Sequence, residues 1–375
     1  MAAAADGDIC RTQVEVRLSR LGGRDPPAAF RFPLSLRPLK VADVIMASLL
    51  HQYRAKKVLI TGGLGFIGSN LARQLVDLGA QVTVLDAMIP MYGGNRRNLS
   101  GYGSRLAIRL VDMRNHRRIA KEIKGQEILF NLAGQTSHMD SMSDPQTDLD
   151  INCGSQLELL ESCRKHNPKI RIVFASTRQI YGKPEYLPVD ENHPLRPVDV
   201  NGINKLAGEQ YHLLYHKVHG IQSTALRLTN TIGPRMRIKD ARQTFLGVWI
   251  KAAVLGESID VWGGSQLRDF TYVDDAVSAF LLAGIHPKAV GKAFNVGGTA
   301  PRSLKEIAQE LIAIAGQGKV ALRPFPASRK AIDIGDYYAD SRQLQQALGW
   351  SARTTLHEAL SRTFQYYRRE IKYYL

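Results

Sequence analysis

The chain has 375 residues, 44% of them hydrophobic and 22% charged, with a formal net charge of +16; it is long enough to bury a large core and ordinary in composition for a globular protein. No apolar run reaches the ~18 residues that cross a bilayer. Cys10, Cys153 and Cys163 form neither a CxxC pair nor a ligand cluster, so a reduced, cytoplasmic protein without a bound metal is expected. The excess charge admits nucleic acid, an anionic surface or small anions as partners. The basic residues are scattered, and no helix-turn-helix, zinc-finger or aromatic RNA-binding signature occurs, so nucleotide-type anions are expected rather than nucleic acid.

Residues 1–55 carry Ala2–Ala5, Gly22-Gly23 and Pro26-Pro27, which break any period, and read as a poorly structured extension. The opening is not basic and lacks an apolar core before a cleavage site, so a secretory signal is not expected, and four acidic residues argue against a transit peptide. Met46 stands just ahead of the first core strand and is a candidate alternative translation start.

The stretch Val58 to Gly68 runs from apolar β-formers into a glycine-rich turn, and an amphipathic helix follows from Ser69 to Leu78. Gly62, Gly65 and Gly68 are spaced GxxGxxG. The first permits the sharp turn, the second a close approach of backbone to a pyrophosphate, and the third tight helix–strand packing. Phe66 and Ile67 lie in the same turn. A second strand, Gln81 to Leu85, ends in Asp86, whose carboxylate can accept both ribose hydroxyls of an adenosine and repels a 2′-phosphate. That favours NAD over NADP.

Beyond this unit, strands and helices alternate, which predicts a doubly wound parallel sheet of Rossmann type. Strands are expected at Val58–Ile60, Val82–Leu85, Ala107–Val111, Ile128–Leu132, Ile170–Ala175 and Thr224–Leu228, with long helices over Asp150–His166 and Lys205–His219. A division is expected into an NAD-binding domain, 56–232, to which part of the later chain returns, and a smaller substrate-binding domain, mainly 233–375. Ligand groups are expected at strand ends: Asp112 and Met113 after the third, Leu132-Ala133-Gly134 after the fourth, Ser176-Thr177 after the fifth.

These motifs carry a resemblance. Thr61–Gly68, Asn131-Leu132-Ala133-Gly134, Ser176-Thr177-Arg178-Gln179-Ile180-Tyr181-Gly182, Arg227-Leu228-Thr229-Asn230, Arg268-Asp269-Phe270-Thr271-Tyr272-Val273-Asp274-Asp275, Phe294-Asn295-Val296-Gly297-Gly298 and Leu348-Gly349-Trp350 stand in family order. The chain thereby resembles the extended short-chain dehydrogenases/reductases of the nucleotide-sugar epimerase/dehydratase family over essentially all of 57–367. The resemblance implies strand order 3-2-1-4-5-6, NAD as a tightly held cofactor, a nucleotide-diphosphate sugar as substrate, and a homodimer built on the two long helices. It also implies transient oxidation of a sugar hydroxyl, with a tyrosine as base four residues before a lysine, and a serine or threonine sharing the proton. Thr177 stands at the hydroxyl position and Lys205 at the lysine position.

Four residues before Lys205 is Asn201, not tyrosine. An amide does not ionise near neutral pH and cannot serve as the base. His138, Tyr181 and Tyr92 are the candidate replacements; His138 follows the fourth strand in a loop that approaches the sugar in similar proteins, and an imidazole suits acid–base work. Arg178-Gln179 occupies the place where similar 4,6-dehydratases carry an acidic pair, which disfavours simple dehydration. Arg178 reads as a clamp for an anionic substrate group such as a uronate carboxylate, as an oxyanion stabiliser, or as a plain surface arginine. The resemblance assigns Asn230 to the diphosphate, Arg268 to a phosphate oxygen, and Arg329 or Lys330 to a second phosphate contact, with Phe245 beside the base. Arg235, Arg237, Lys239 and Arg242 form a basic loop that reads as solvated or as an anion contact. The expected function is an NAD-dependent epimerase or related internal-redox enzyme; the alternatives are a decarboxylase or dehydratase on the same fold and a redox-inactive nucleotide-sugar-binding protein.

Overall fold

A computed structural model describes residues 48–325 and 333–375. Most of the extension and the calls on Arg329 and Lys330 lie outside the described residues. Tyr53, within the stretch assigned to the extension, is fully buried and donates its hydroxyl to Leu281 O at 2.7 Å.

The first half builds β1 (Lys57–Thr61), α1 (Phe66–Asp77), β2 (Gln81–Asp86), β3 (Ala107–Leu110), α2 (His116–Glu122), β4 (Ile128–Asn131), α3 (His138–Ser143), α4 (Pro145–Leu149), α5 (Ser155–His166), β5 (Arg171–Thr177), α6 (Val200–His219) and β6 (Gln222–Leu228). Then come β7 (Asn230–Ile232), α7 (Phe245–Leu255), β8 (Ser258–Trp262), β9 (Leu267–Arg268), β10 (Phe270–Tyr272), α8 (Val273–Ile285) and β11 (Ala293–Val296). The main sheet has the order β11-β6-β5-β4-β1-β2-β3, every neighbouring pair parallel. The expected order 3-2-1-4-5-6 is present, and β11 adds a seventh strand beside β6.

Strand β1 shows why this sheet is covered on both sides. Val58 and Ile60 belong to one core cluster with α1 and α8, while Leu59 belongs to a second with Leu159 and Leu160 of α5. Alternate side chains of a strand point to opposite faces, and both faces here are apolar, as a parallel sheet between two helix layers requires. The order reverses between β1 and β4, which opens a crevice at the carboxyl ends of these strands. Thr61 holds that crevice open: its Oγ1 donates to Asn131 Oδ1 at 2.8 Å and accepts the Leu132 and Ala133 N–H groups at 3.1 Å.

Helix α6 starts at Val200, five residues before the expected start. Asp199 caps it, its Oδ1 accepting the Gly202 N–H at 2.7 Å, which satisfies a donor that has no partner inside the helix. A π-helical turn, Asp150–Gly154, leads into α5. There the Ile151 carbonyl accepts from Ser155 Oγ at 2.6 Å and Gln156 Nε2 at 3.0 Å, so side chains enter the helical ladder.

Candidate active site

The crevice is a cavity of about 290 Å³ lined by the glycine turn, the ends of β2 to β6 and the start of α6. Gly62 adopts φ +68°, and a Cβ there would lie 2.9 Å from Ala133 N. A Cβ on Gly68 would lie 2.3 Å from Gly62 O. Both positions therefore accept only glycine without rearrangement, one for its left-handed backbone and one for close approach. This is the cradle a pyrophosphate requires at a helix N-terminus.

Asp86 lines the cavity at the end of β2. Its Oδ2 accepts Leu64 N–H at 3.0 Å and Oδ1 accepts Met88 N–H at 2.8 Å. Burial raises its pKa, against the pull of these two bonds. Asp112 also lines the cavity, with its carboxylate forked by Arg114 at 2.6–3.2 Å; that bond holds it below the ordinary carboxylate value. Gly65, Phe66, Ile67, Met113, Leu132, Ala133 and Gly134 line the same cavity. The donor and acceptor set fits a dinucleotide laid across the sheet edge.

At the other end lie Thr177, Arg178, His138, Asn201, Lys205 and Asn230. Lys205 is one helical turn after Asn201 on α6, so both face the cavity from one side. Burial lowers the Lys205 ammonium to about 8, with Asp148 and Glu209 pulling it up; it sits 4.2 Å over the Phe174 ring and donates to Ala175 O. Thr177 Oγ1 accepts the Gln179 N–H at 3.2 Å.

Asn201 is buried against a carboxylate that sequence reasoning missed. Its Nδ2 donates to Asp148 Oδ2 and to Gln135 O, each at 2.9 Å. Asp148 is itself wholly buried, and accepts further amide N–H groups from Asn152 at 3.1 Å and Asn204 at 2.8 Å. Nothing in the sequence separates Asp148 from Asp144 and Asp150, which flank it on the same helical stretch.

Asp199 was also missed. Besides capping α6, its Oδ2 accepts Gln179 Nε2 at 2.9 Å and lies 3.0 Å from His138 Nδ1. The imidazole N–H is not yet aligned on the oxygen, a looseness that sites tighten when substrate binds. Burial pushes the Asp199 carboxyl up, but the adjacent His138 together with the bonds from Gly202 and Gln179 outweighs it and leaves its pKa lowered. A capping aspartate between Pro197 and Gly202 was the available signal; which histidine it would meet was not.

Tyr181 is committed elsewhere. Its hydroxyl donates to Asn295 Oδ1 and accepts from Arg227 Nη1, both at 2.7 Å, and burial raises its pKa. Arg227 in turn pairs with Glu209 at 2.6 Å in the interior. The three arginines of the basic loop are engaged within the protein: Arg237 pairs with Asp240, Arg242 with Asp240 and Asp140, and Arg235 donates to the neutral Asn70 Oδ1.

Arg268 and Phe245 are not among the cavity-lining residues. Arg268 is buried, donates to the carbonyls of Leu267 and Gly335, and lies 3.8 Å from Asp333. Phe245 opens α7 and packs edge-on to Trp249 at 4.8 Å.

A doubly wound sheet with this glycine cradle and these carboxylates defines a dinucleotide-binding α/β enzyme. The NAD dependent epimerase/dehydratase family model matches residues 58–297. A relative from Methanocaldococcus jannaschii, assigned by name only to UDP-glucose 4-epimerase, is 31% identical over 81% of this chain and 96% of its own. UDP-glucuronic acid decarboxylase 1 of Xenopus tropicalis is 29% identical over 86% of this chain and 75% of its own. The structure of UDP-glucuronic acid 4-epimerase from Bacillus cereus, in complex with UDP-glucuronic acid and NAD, superposes with a TM-score of 0.75 at 26% identity, covering 84% of this chain and 99% of that one. The chain belongs to the NAD-dependent epimerase/dehydratase family, and NAD is its cofactor.

Proposed function

We propose that this protein is an epimerase of nucleotide-diphosphate sugars that works by internal redox, with His138 in place of the missing tyrosine base. The observation that carries this is the 3.0 Å contact between His138 Nδ1 and Asp199 Oδ2 at the rim of the cavity that Thr177 and Lys205 also line. A carboxylate on Nδ1 selects the tautomer with its proton there and leaves Nε2 as the proton acceptor. Bound NAD supplies the hydride acceptor.

In this reading Nε2 of His138 takes the proton of the sugar hydroxyl, and the Thr177 hydroxyl holds the same oxygen as charge develops on it. Asp199 stabilises the imidazolium. Lys205 holds the ribose next to the nicotinamide. Asn201 contributes an acceptor, since both its amide hydrogens are spent on Asp148 and Gln135. Asn230, whose Nδ2 has no partner among the described residues, faces the cavity as a donor for the diphosphate. A second copy docks on α6, where Ile203, Leu214 and Val218 are exposed along one stripe of the helix.

The test is anaerobic incubation of the holoenzyme with UDP-, dTDP-, GDP- and CDP-sugars, following reduced nicotinamide by absorbance and products by NMR. The expected result is a product inverted at one ring carbon with transient reduction of the cofactor. Loss of carbon dioxide or water instead identifies the lyase alternative, and binding with no reduction at all refutes the redox reading.

A further inference from the structure

Arg178 is the cation of this cavity that the scheme above leaves without a task. It follows Thr177 directly at the end of β5 and lines the cavity. Its Nη1 is buried with no hydrogen-bond partner among the described residues. The face of the guanidinium lies 5.1 Å from the Tyr337 ring, which leaves its N–H edge for other partners.

None of the carboxylates around it accepts a hydrogen bond from it among the described residues, although the Asp269 Oδ1 is itself buried without a partner there. Asp199 is held by Gly202, Gln179 and His138. Asp269 accepts the N–H groups of Gly298 at 3.2 Å and Ala339 at 3.3 Å on Oδ2. Asp333 faces Arg268 at 3.8 Å. Arg268 is also close enough that the two guanidinium charges disfavour one another. Nearby carboxylates offset part of this charge, but the Arg178 Nη1 donor is withdrawn from water without an acceptor among the described residues, and an acceptor on a ligand in the cavity would satisfy it.

We propose that Arg178 receives a carboxylate carried by the sugar ring, so that the substrates are nucleotide-diphosphate hexuronates. This rests on the nucleotide-sugar reading above. Position argues for the sugar over the diphosphate: Arg178 adjoins Thr177, whose hydroxyl serves the reacting ring carbon, while the Asn230 amide, unpartnered among the described residues, is available to the diphosphate. Shape argues likewise, because a planar guanidinium edge matches the two oxygens of a carboxylate.

The test is calorimetric titration of the holoenzyme with free UDP, dTDP, GDP and CDP, and with the glucose and glucuronate diphosphates of each. The wild type should bind the glucuronate ester of its preferred nucleotide about 10–100-fold more tightly than the glucose ester, the range expected for one charge-assisted hydrogen-bonded pair. In Arg178→Met that preference should collapse toward unity while the free nucleotide binds within about 3-fold of wild type, and Arg178→Lys should restore part of it. A wild-type ratio near one overturns the inference without need of any variant. An Arg178→Met protein that loses free nucleotide as strongly as uronate assigns the arginine to the diphosphate and overturns it too. If none of the twelve ligands binds, the nucleotide-sugar reading fails and this inference with it.

Discussion

Asn201 gives both of its amide hydrogens away, to Asp148 Oδ2 and Gln135 O at 2.9 Å each, and so presents only its carbonyl oxygen to the cavity. The position that the family resemblance assigns to an ionisable phenol is here a fixed acceptor, and a buried carboxylate fixes it. Replacing Asp148 by Asn sets an NH₂ group against at least one of three amide donors. We expect Asp148→Asn to lose about 1–3 kcal/mol of stability, the usual cost of an unsatisfied buried donor. The check is the denaturation midpoint at unchanged m-value.

The His138–Asp199 pair predicts a separation of catalysis from stability. Asp199→Asn keeps a residue able to cap α6 but no longer holds a proton on His138 Nδ1. Its kcat should fall ~10²–10⁴-fold with little change in KM or melting temperature. His138→Ala should fall comparably, and the double variant no further than either single. Full turnover by His138→Ala removes this histidine as the base.

Tyr181 provides the contrasting case. Its hydroxyl bridges Arg227 and Asn295 inside the protein, so Tyr181→Phe should cost about 1–3 kcal/mol through those two stranded groups. Turnover below the melting transition should remain near wild type. A rate loss without a stability loss contradicts the structural assignment.

Lys205 predicts a signed dependence on pH. Its value in the folded protein, about 8, lies below the ordinary 10.5, with burial as the principal cause. Between these values the unfolded chain retains a proton that the folded chain has released, so stability attributable to Lys205 increases as pH rises from about 8 toward 10.5. The free-energy difference between wild type and Lys205→Met should shift in favour of wild type across that window. A difference that stays flat with pH contradicts it. Turnover that needs the ammonium form should decline over the same range.

Gly68→Ala places a Cβ 2.3 Å from Gly62 O, and backbone must move to accept it. We expect loss of co-purifying NAD and a destabilisation of about 1–3 kcal/mol, the usual cost of overpacking. Cofactor content after gel filtration and a thermal melt measure both.

The strands were legible because alternation and apolar runs are local properties, whereas their order was implied by the family resemblance. Val58, Leu59 and Ile60 announce a strand buried on both faces, and the glycine spacing announces the turn that follows. Helix starts were less legible: α6 begins at Val200, where the Asp199 side-chain cap decides the boundary, and the expected start lay five residues later.

The sequence by itself determined the class of the protein, the cofactor cradle from Val58 to Asp86, and the absence of tyrosine at position 201. These depend on residue type and spacing along the chain. Only the tertiary structure decided which groups meet: Asp148 beneath Asn201, Asp199 behind His138, Tyr181 locked to Arg227, and Arg178 left with a free donor beside Arg268. Each pairing joins residues from different turns and strand ends. Hydrogen bonding in the interior acts over about 3 Å, a proximity that the packing of α3, α4 and α6 creates and linear order does not record.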